Sequence, residues 1–560
     1  MKKPMYFNKN IVVINYTKDY PTNVSGFIES ETFSKYLALF LEDLKVSNLE
    51  LYNWTTRVFS ENIIDDIKRL AKSLLVFDIK DIEHKSLNDS KYLLELIETA
   101  YDFWRKKERY SIVSTYNNQG LQLANFIQAD QDYNQMILDF YRTLQEKIQG
   151  YKNKIYRQLQ AGTNAALLLR HYNLVLNDEY SALKDIPFIN TMMLRTPLIF
   201  HPKSNKRLGT FTKTDKHLIN EFINDGNYLC YPAKVGELTI LIYFHIDYLT
   251  SVVGLSNLFE LASEEDCLNN KVDGIILFGN QDNLNETVYE YDEANDLWIG
   301  KVSYAPVIEY FGYLKKMSLT LFNLAMLKRN KLAIHGAMIN VYFKDGTKKG
   351  IVLMGDSGAG KSETIEALSQ IGSDIIIKQE IIFDDMGAMF IEDGKILASG
   401  TEIGAFVRLD DLDKGSAYRD MDRSIFFNPE SLNARVVIPT TPYDIVCDKH
   451  QVDCFMYANN YDDKYGLTIL DDLNVAKEIF KEGKRFALGT TQEKGISKTY
   501  FANPFGLMQS IEETDPLIDT MFDKLYENKI IVGEVYSRLG VDEKDGLDKA
   551  ALALLGLFGK

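Results

Sequence analysis

Apolar residues in the first third of the chain recur at steps of three and four. Leu93, Leu96, Ile97, Ala100, Tyr101 and Trp104 follow this spacing, which lines them up on one helical face and predicts that the face is buried. A second stripe, Ile137, Tyr141, Leu144, Ile148, Tyr151, Ile155 and Leu159, alternates threes and fours as in helices packed almost parallel. A mainly α-helical region over 29–176 is therefore predicted, after a lead-in over 1–28 whose run Ile11 to Ile14 reads as a strand. Beyond Asp185-Ile186-Pro187 the pattern changes to short apolar runs broken by Gly, Asn and Asp. Leu238 to Ile246 and Ile275 to Phe278 read as strands, and Val288 to Tyr291 with Leu297 to Ile299 as a hairpin across Asp292 to Asp296, which makes 177–306 an α/β lobe. From 307 to 560 a helix over 307–329 leads into strands at Leu332 to Ile334, Met338 to Phe343 and Ile351 to Met354. The apolar run Ala550 to Phe558 reads as a terminal helix.

Composition narrows what such a chain does. At 560 residues it exceeds one core, so about three or four domains are expected. A content of 46% hydrophobic residues with only 12 prolines predicts folding throughout. The net charge of −16 opposes a broad polyanion-binding face, so nucleic acid is not an expected partner. Cys230, Cys267, Cys447 and Cys454 form no CxxC pair, which suits a reducing compartment and points to the cytoplasm. No apolar run nears the roughly 20 residues of a membrane span, and the run at Ile11 is too short for a secretory core. The helical region is a candidate surface for a homodimer or a protein partner.

The chemistry concentrates at Gly355-Asp356-Ser357-Gly358-Ala359-Gly360-Lys361-Ser362, set between the apolar run Ile351 to Met354 and the helix-forming stretch that begins at Ser362-Glu363. Glycines let backbone N–H groups close around a polyphosphate, Lys361 reaches its outer phosphates, and the Ser362 hydroxyl holds a divalent cation. Glu363 sits in the first turn, where the helix dipole favours a negative charge. Downstream, Ile381-Ile382-Phe383 ends in Asp384-Asp385, as when a buried strand delivers carboxylates to a cation. Hard oxygen donors suit Mg²⁺ or Mn²⁺. These residues predict a nucleoside triphosphate and a metal without naming the phosphoryl acceptor.

The series Tyr310-Phe311-Gly312-Tyr313-Leu314-Lys315-Lys316, then His335, resembles the phosphoenolpyruvate carboxykinases, where a Tyr precedes two lysines and a metal-binding histidine at the same separation. Ser357 is similar to the serine of that family's phosphate loop. Glu402-Ile403-Gly404-Ala405-Phe406-Val407-Arg408 resembles its Glu-Gly-Gly-Cys-Tyr-Ala-Lys segment, and Asn433-Ala434-Arg435 with Pro439 its Asn-Thr-Arg followed by Pro. Gly489 to Gly495 resembles its mobile lid, and Arg195-Thr196-Pro197 the Arg-Ser-Pro that holds the dicarboxylate. The similarity spans about 310–540. The loop itself, with Asp356 and Glu363, is closer to the HPr kinases.

The resemblance implies a carboxykinase-like nucleotide-binding domain in an α/β protein. It also implies ATP-dependent conversion of oxaloacetate to phosphoenolpyruvate, with Mn²⁺ and Mg²⁺ as cofactors. Lys316, His335 and an aspartate, Asp385 foremost, would hold Mn²⁺, and Ser362 with Asp384 the second ion. Lys361, Arg435 and Arg408 would offset charge on the γ-phosphate, while Tyr310, Ser357 and Arg195 would face the substrate. The HPr-kinase likeness implies instead a protein serine or small alcohol as acceptor, with Asp384 or Asp385 as base. A third expectation is a scaffold that binds ATP without turnover.

Overall fold

The computed structural model describes the chain apart from residues 1–4, 8–10, 16–18, 106–107, 113–119, 158–164, 173, 175–176, 195, 209–210, 270, 410–420, 489–493, 541–542 and 560. It is a mixed α/β protein with several sheets. The chain divides into two compact units, Met1–Asn153 with Leu159–Thr163, and Lys154–Gln158 with Asn164–Lys560.

The first unit is built from helices Val24–Glu29, Glu31–Ser47, Leu49–Val58, Ile63–Val76, Ser90–Arg105 and Gly120–Gln149, with a three-stranded sheet of Met5–Phe7, Ile11–Asn15 and Glu108–Ile112. Side chains cap the early helices. Asn23 accepts from Gly26 N, Ser30 from Phe33 N at 3.1 Å and Asn48 from Leu51 N at 3.1 Å, satisfying amides that have no helical partner. The Leu93 stripe lies on Ser90–Arg105 and shares one core with Phe40, Leu44, Ile137, Leu144 and Ile148. The second stripe stops short of its expected length. The helix closes at Gly150, whose φ of 83° is open to glycine, so Tyr151 is exposed and Ile155 sits in a strand. That strand, Ile155–Tyr156, and Ala165–Arg170 both pair with Phe188–Leu194 in the second unit.

The second unit holds two large sheets. One has ten strands with Leu238–His245 buried along its whole length at the centre, and the expected hairpin forms as Thr287–Asp292 against Leu297–Ser303. The other has eight strands in the order His450–Gln451, Lys395–Gly400, Ile376–Glu392, Leu332–Phe343, Lys348–Met354, Cys454–Asn459, Ile531–Tyr536 and Leu467–Ile469. Helix Gly312–Lys328 packs against Leu297–Ser303 of the first sheet and Leu332–Phe343 of the second. It is buried almost all round, which is why its apolar residues show no single stripe. A four-stranded sheet joins Gly404–Arg408, Arg435–Pro439, Ile425–Phe427 and Leu198–Phe200. No helix among the described residues is long and apolar enough to cross a membrane.

Two strand assignments differ from expectation. The runs at Leu332 and Met338 form one strand, Leu332–Phe343, which places His335 inside it rather than at an end. Asp384 and Asp385 lie within Ile376–Glu392, not after it. Pairing with Leu332–Phe343 continues past both, with Asp384 opposite Ala337 and Asp385 opposite Gly336, so the ladder satisfies the backbone and carries it through the polar pair.

Candidate nucleotide and metal site

Strand Lys348–Met354 runs parallel to Cys454–Asn459 and antiparallel to Leu332–Phe343, and the phosphate loop leaves its end to enter helix Lys361–Ile371. Gly360, the residue before that helix, has φ 93° and a Cβ there would lie 2.4 Å from that of Ser537. Both facts demand glycine. The loop is braced from outside. Ser537 Oγ donates to Ala359 O at 2.8 Å, Asn460 Nδ2 to Gly358 O at 2.9 Å, and Arg485 to Ser357 O. Arg485 Nε also lies 3.0 Å from Asp356 Oδ2, and Asp356 Oδ1 accepts from Ser357 N at 2.7 Å. Lys361 Nζ is folded onto the loop, donating to Gly355 O at 2.8 Å and Asp356 O at 3.1 Å. The loop thus pairs a braced backbone and the positive end of a helix with a lysine that donates to two carbonyls, a setting that suits anionic oxygens. Glu363 takes its place in the first helical turn.

Ser362 Oγ donates to Asp384 Oδ1 at 2.7 Å, and burial pushes the Asp384 carboxyl up. Asp385 is the junction of the site. Its Oδ2 lies 2.6 Å from Lys316 Nζ and 2.7 Å from Lys315 Nζ, and its Oδ1 lies 3.1 Å from His335 Nε2. Burial acts to raise Asp385, but Lys315, Lys316 and His335 outweigh it and hold the carboxyl well below its usual range. The two lysines then diverge. Burial pulls Lys316 down to about 8, with Asp385 opposing and Lys315 reinforcing the fall. Burial also acts to lower Lys315, but Asp385 and Glu402 overcome it and keep the ammonium charged.

His335 is fully buried, and burial pushes its pKa down, favouring the neutral ring. Its Nδ1 is 2.7 Å from Ala502 O. A carbonyl only accepts, so Nδ1 carries the proton, and in the neutral ring that burial favours, Nε2 would turn its lone pair toward Asp385 Oδ1. In that form a cation between nitrogen and oxygen would join them, whereas in the protonated ring Nε2–H donates to Asp385 and stabilises its charge. With Lys316 accessible in its neutral form, the donor set of imidazole nitrogen, amine and carboxylate fits a divalent transition ion such as Mn²⁺. Ser362 and Asp384 supply hard oxygen donors for Mg²⁺.

Arg408 and Arg435 face each other across paired strands. The Arg435 guanidinium lies 5.4 Å from the centre of the Phe406 ring, and Lys315 Nζ lies 5.5 Å from it. Tyr310 packs against the same ring at 6.1 Å. Phe406 thereby gathers Tyr310, Arg435 and Lys315 at one place. Arg195 lies outside the described residues, as do 489–493 of the expected lid segment. The flanks of that segment pair as a hairpin, Lys484–Leu488 with Lys494–Lys498.

Three residues at the site went unread in the sequence. Glu402 is buried with Oε1 3.0 Å from Lys315 Nζ, and burial lifts its carboxyl to about 7. Its place at the head of the Glu402 to Arg408 segment was the available signal. Arg485 and Arg207 carry no local motif. A separate cluster of Glu179, His217 and Asp292 has metal-ligand types within 4.8 Å, but Asp292 already accepts from Tyr180, Ala294 and Asn295, closing the hairpin turn. No family model matches this chain, and neither does any curated protein.

Proposed function

We propose that this chain is an ATP-dependent enzyme of the phosphoenolpyruvate carboxykinase type, which decarboxylates oxaloacetate and phosphorylates the enolate to give phosphoenolpyruvate, carbon dioxide and ADP. The observation that carries this reading is the meeting of Lys316, His335 and Asp385, with the lysine and imidazole nitrogens both within 3.1 Å of the carboxylate. A simple kinase has no need of a lysine whose burial makes it this easy to deprotonate. When bound, a divalent cation at these donors would offset the negative charge that decarboxylation leaves on the enolate oxygen.

The chain's own residues do the rest. Lys361 exchanges the Gly355 and Asp356 carbonyls for phosphate oxygens, and the Gly358 to Ser362 backbone positions the triphosphate. Arg435, backed by Phe406, approaches from the sheet beside Tyr310 and offsets charge on the transferring group. Lys315 stays charged and holds Asp385 ionised, while burial, with Lys361 and Lys316, favours the neutral His335 ring. Burial around Asp384 and Glu402 excludes water, which protects an enolate from protonation.

A kinase acting on a hydroxyl is the second reading. It is favoured by Asp356, which belongs to the HPr-kinase-like loop and is fixed by Arg485, and by Asp384, whose raised carboxyl suits a general base. Purified protein with ATP, Mn²⁺ and oxaloacetate separates the two. Phosphoenolpyruvate formation that disappears in Lys316→Ala and His335→Ala supports the carboxykinase. ATP consumption without phosphoenolpyruvate would sink it, and binding without consumption would leave a scaffold.

A further inference from the structure

The helical unit carries a cavity of about 110 Å³ in its core. Phe40, Leu74, Trp104 and Leu144 are among its walls, one each from helices Glu31–Ser47, Ile63–Val76, Ser90–Arg105 and Gly120–Gln149. Every residue that lines it is apolar or aromatic. Two of the lining tyrosines spend their hydroxyls elsewhere. Tyr36 Oη donates to Ala100 O, and Tyr141 Oη lies 2.8 Å from both Glu98 oxygens. Rings meet edge to face in the surrounding core, Phe33 with Phe140 and Tyr36 with Trp104, each pair at 6.0 Å. Such pairs fix the rings against one another, which resists collapse of the space.

Natural cores hold few voids larger than a water molecule. This cavity would admit several waters by size, yet each needs about two to four polar partners, and these walls do not supply them. Apolar cavities of about 150 Å³ stay dry and take up molecules such as benzene. Ile97, Tyr101 and Tyr141 are only partly buried, so the cavity comes nearest to solvent along the seam between helices Ser90–Arg105 and Gly120–Gln149. The Tyr101 and Tyr141 rings stack at that seam with centres 3.9 Å apart. Glu98, which also accepts from Gln145 Nε2 at 2.6 Å, puts a negative charge there and opposes an anionic headgroup.

We infer that the helical unit binds a small uncharged apolar molecule, of about the bulk of one aromatic ring, in this cavity between its helices. Nothing in that binding depends on the phosphate loop. An occupant of this kind supplies dispersion contacts to the walls and brings no polar group that would go unpaired. A sugar or an amino acid would carry donors and acceptors for which the walls have no partners.

Benzene is the probe, and its binding to the full chain is followed by calorimetry and by tryptophan emission, to which Trp104 at the cavity wall contributes. Ala71→Leu and Ala100→Leu each fill the space from a different helix. The parent is expected to bind benzene, and its thermal midpoint to rise as benzene is added. Each leucine variant should keep the parent's helical circular dichroism and bind benzene about 10-fold or more weakly. Benzoate should bind the parent about 10-fold or more weakly than benzene, because its carboxylate finds no partner. A parent that does not bind benzene would overturn the inference, as would benzene affinity unchanged in both variants, or benzoate bound as tightly as benzene. Unfolding of the helical unit in both variants would overturn it too, since a side chain that the cavity should admit would then have found no room.

Discussion

The helical unit and the loop-bearing unit bury different things. Around Phe40, Leu44, Trp54 and Leu93 the helical core is apolar, and its few buried polar residues, Thr55, Asp66, Ser86 and Arg105, are paired locally. The loop-bearing unit buries Lys315, His335, Asp356, Lys361, Glu402 and Arg485 within one region. Taking charges out of water costs several kcal/mol each unless partners offset it. A cluster of buried charges of this kind marks a candidate functional site, and it carries a cost in stability that the apolar helical core does not.

Four outcomes would break or sharpen this contrast. The largest is expected at Asp385→Asn, which leaves Lys315 and Lys316 facing each other without their carboxylate. A loss of about 3–5 kcal/mol in urea unfolding is expected, together with a fall in ATP turnover of about 10²-fold or more. A variant of unchanged stability would show that the cluster is not strongly coupled. Leu44→Ala removes a fully buried side chain and should cost about 2–5 kcal/mol, read from the emission of Trp54 and Trp104, both of that core. ATP binding should not change with it; a matching loss of ATP affinity would erase the distinction between the units.

Gly360→Ala comes next. A left-handed alanine pressed on Ser537 should cost about 1–3 kcal/mol and weaken ATP binding, measured by titration with a fluorescent nucleotide. The smallest effect is expected at Asp66, where burial acts to raise the carboxyl but Ser60 N–H, Arg69 and His84 hold it down near 2. A folded pKa below the unfolded 3.8 means that its stabilisation is full above about pH 4 and is lost as pH falls toward 2. Asp66→Asn should therefore lower the helical unit's stability by about 1 kcal/mol at neutral pH after solvent screening, and flatten its acid dependence in that window. An unaltered acid profile would place the pH response elsewhere.

Legibility in the sequence followed the range of the interactions. The Leu93 stripe and the Val288 hairpin were readable because helix faces and two-strand turns repeat over a few residues. The glycine-rich turn between strand Lys348–Met354 and helix Lys361–Ile371 was readable because its residues are contiguous. The spacing carries Ile155 into a helix, whereas Gly150 ends the helix by a backbone angle that spacing does not encode. Asp384 and Asp385 looked like a strand end because two carboxylates interrupt an apolar run, yet the neighbouring strand pairs straight past them.

By itself, the sequence determined that this chain carries a glycine-rich loop ending in Lys361-Ser362, a carboxylate pair and a Tyr310-to-His335 series in a mixed α/β setting, since each is a local pattern. Only the tertiary structure decided that Asp385 meets both lysines and His335, that Lys316 and Lys315 take opposite protonation tendencies, and that Arg207 and Lys316 share the Phe505 ring. Those facts depend on burial and on side chains from strands and loops up to about 300 residues apart in sequence. Adjacent residues 315 and 316 have identical side chains; the unequal placing of Asp385 and Glu402 around them makes one a charge and the other a candidate ligand.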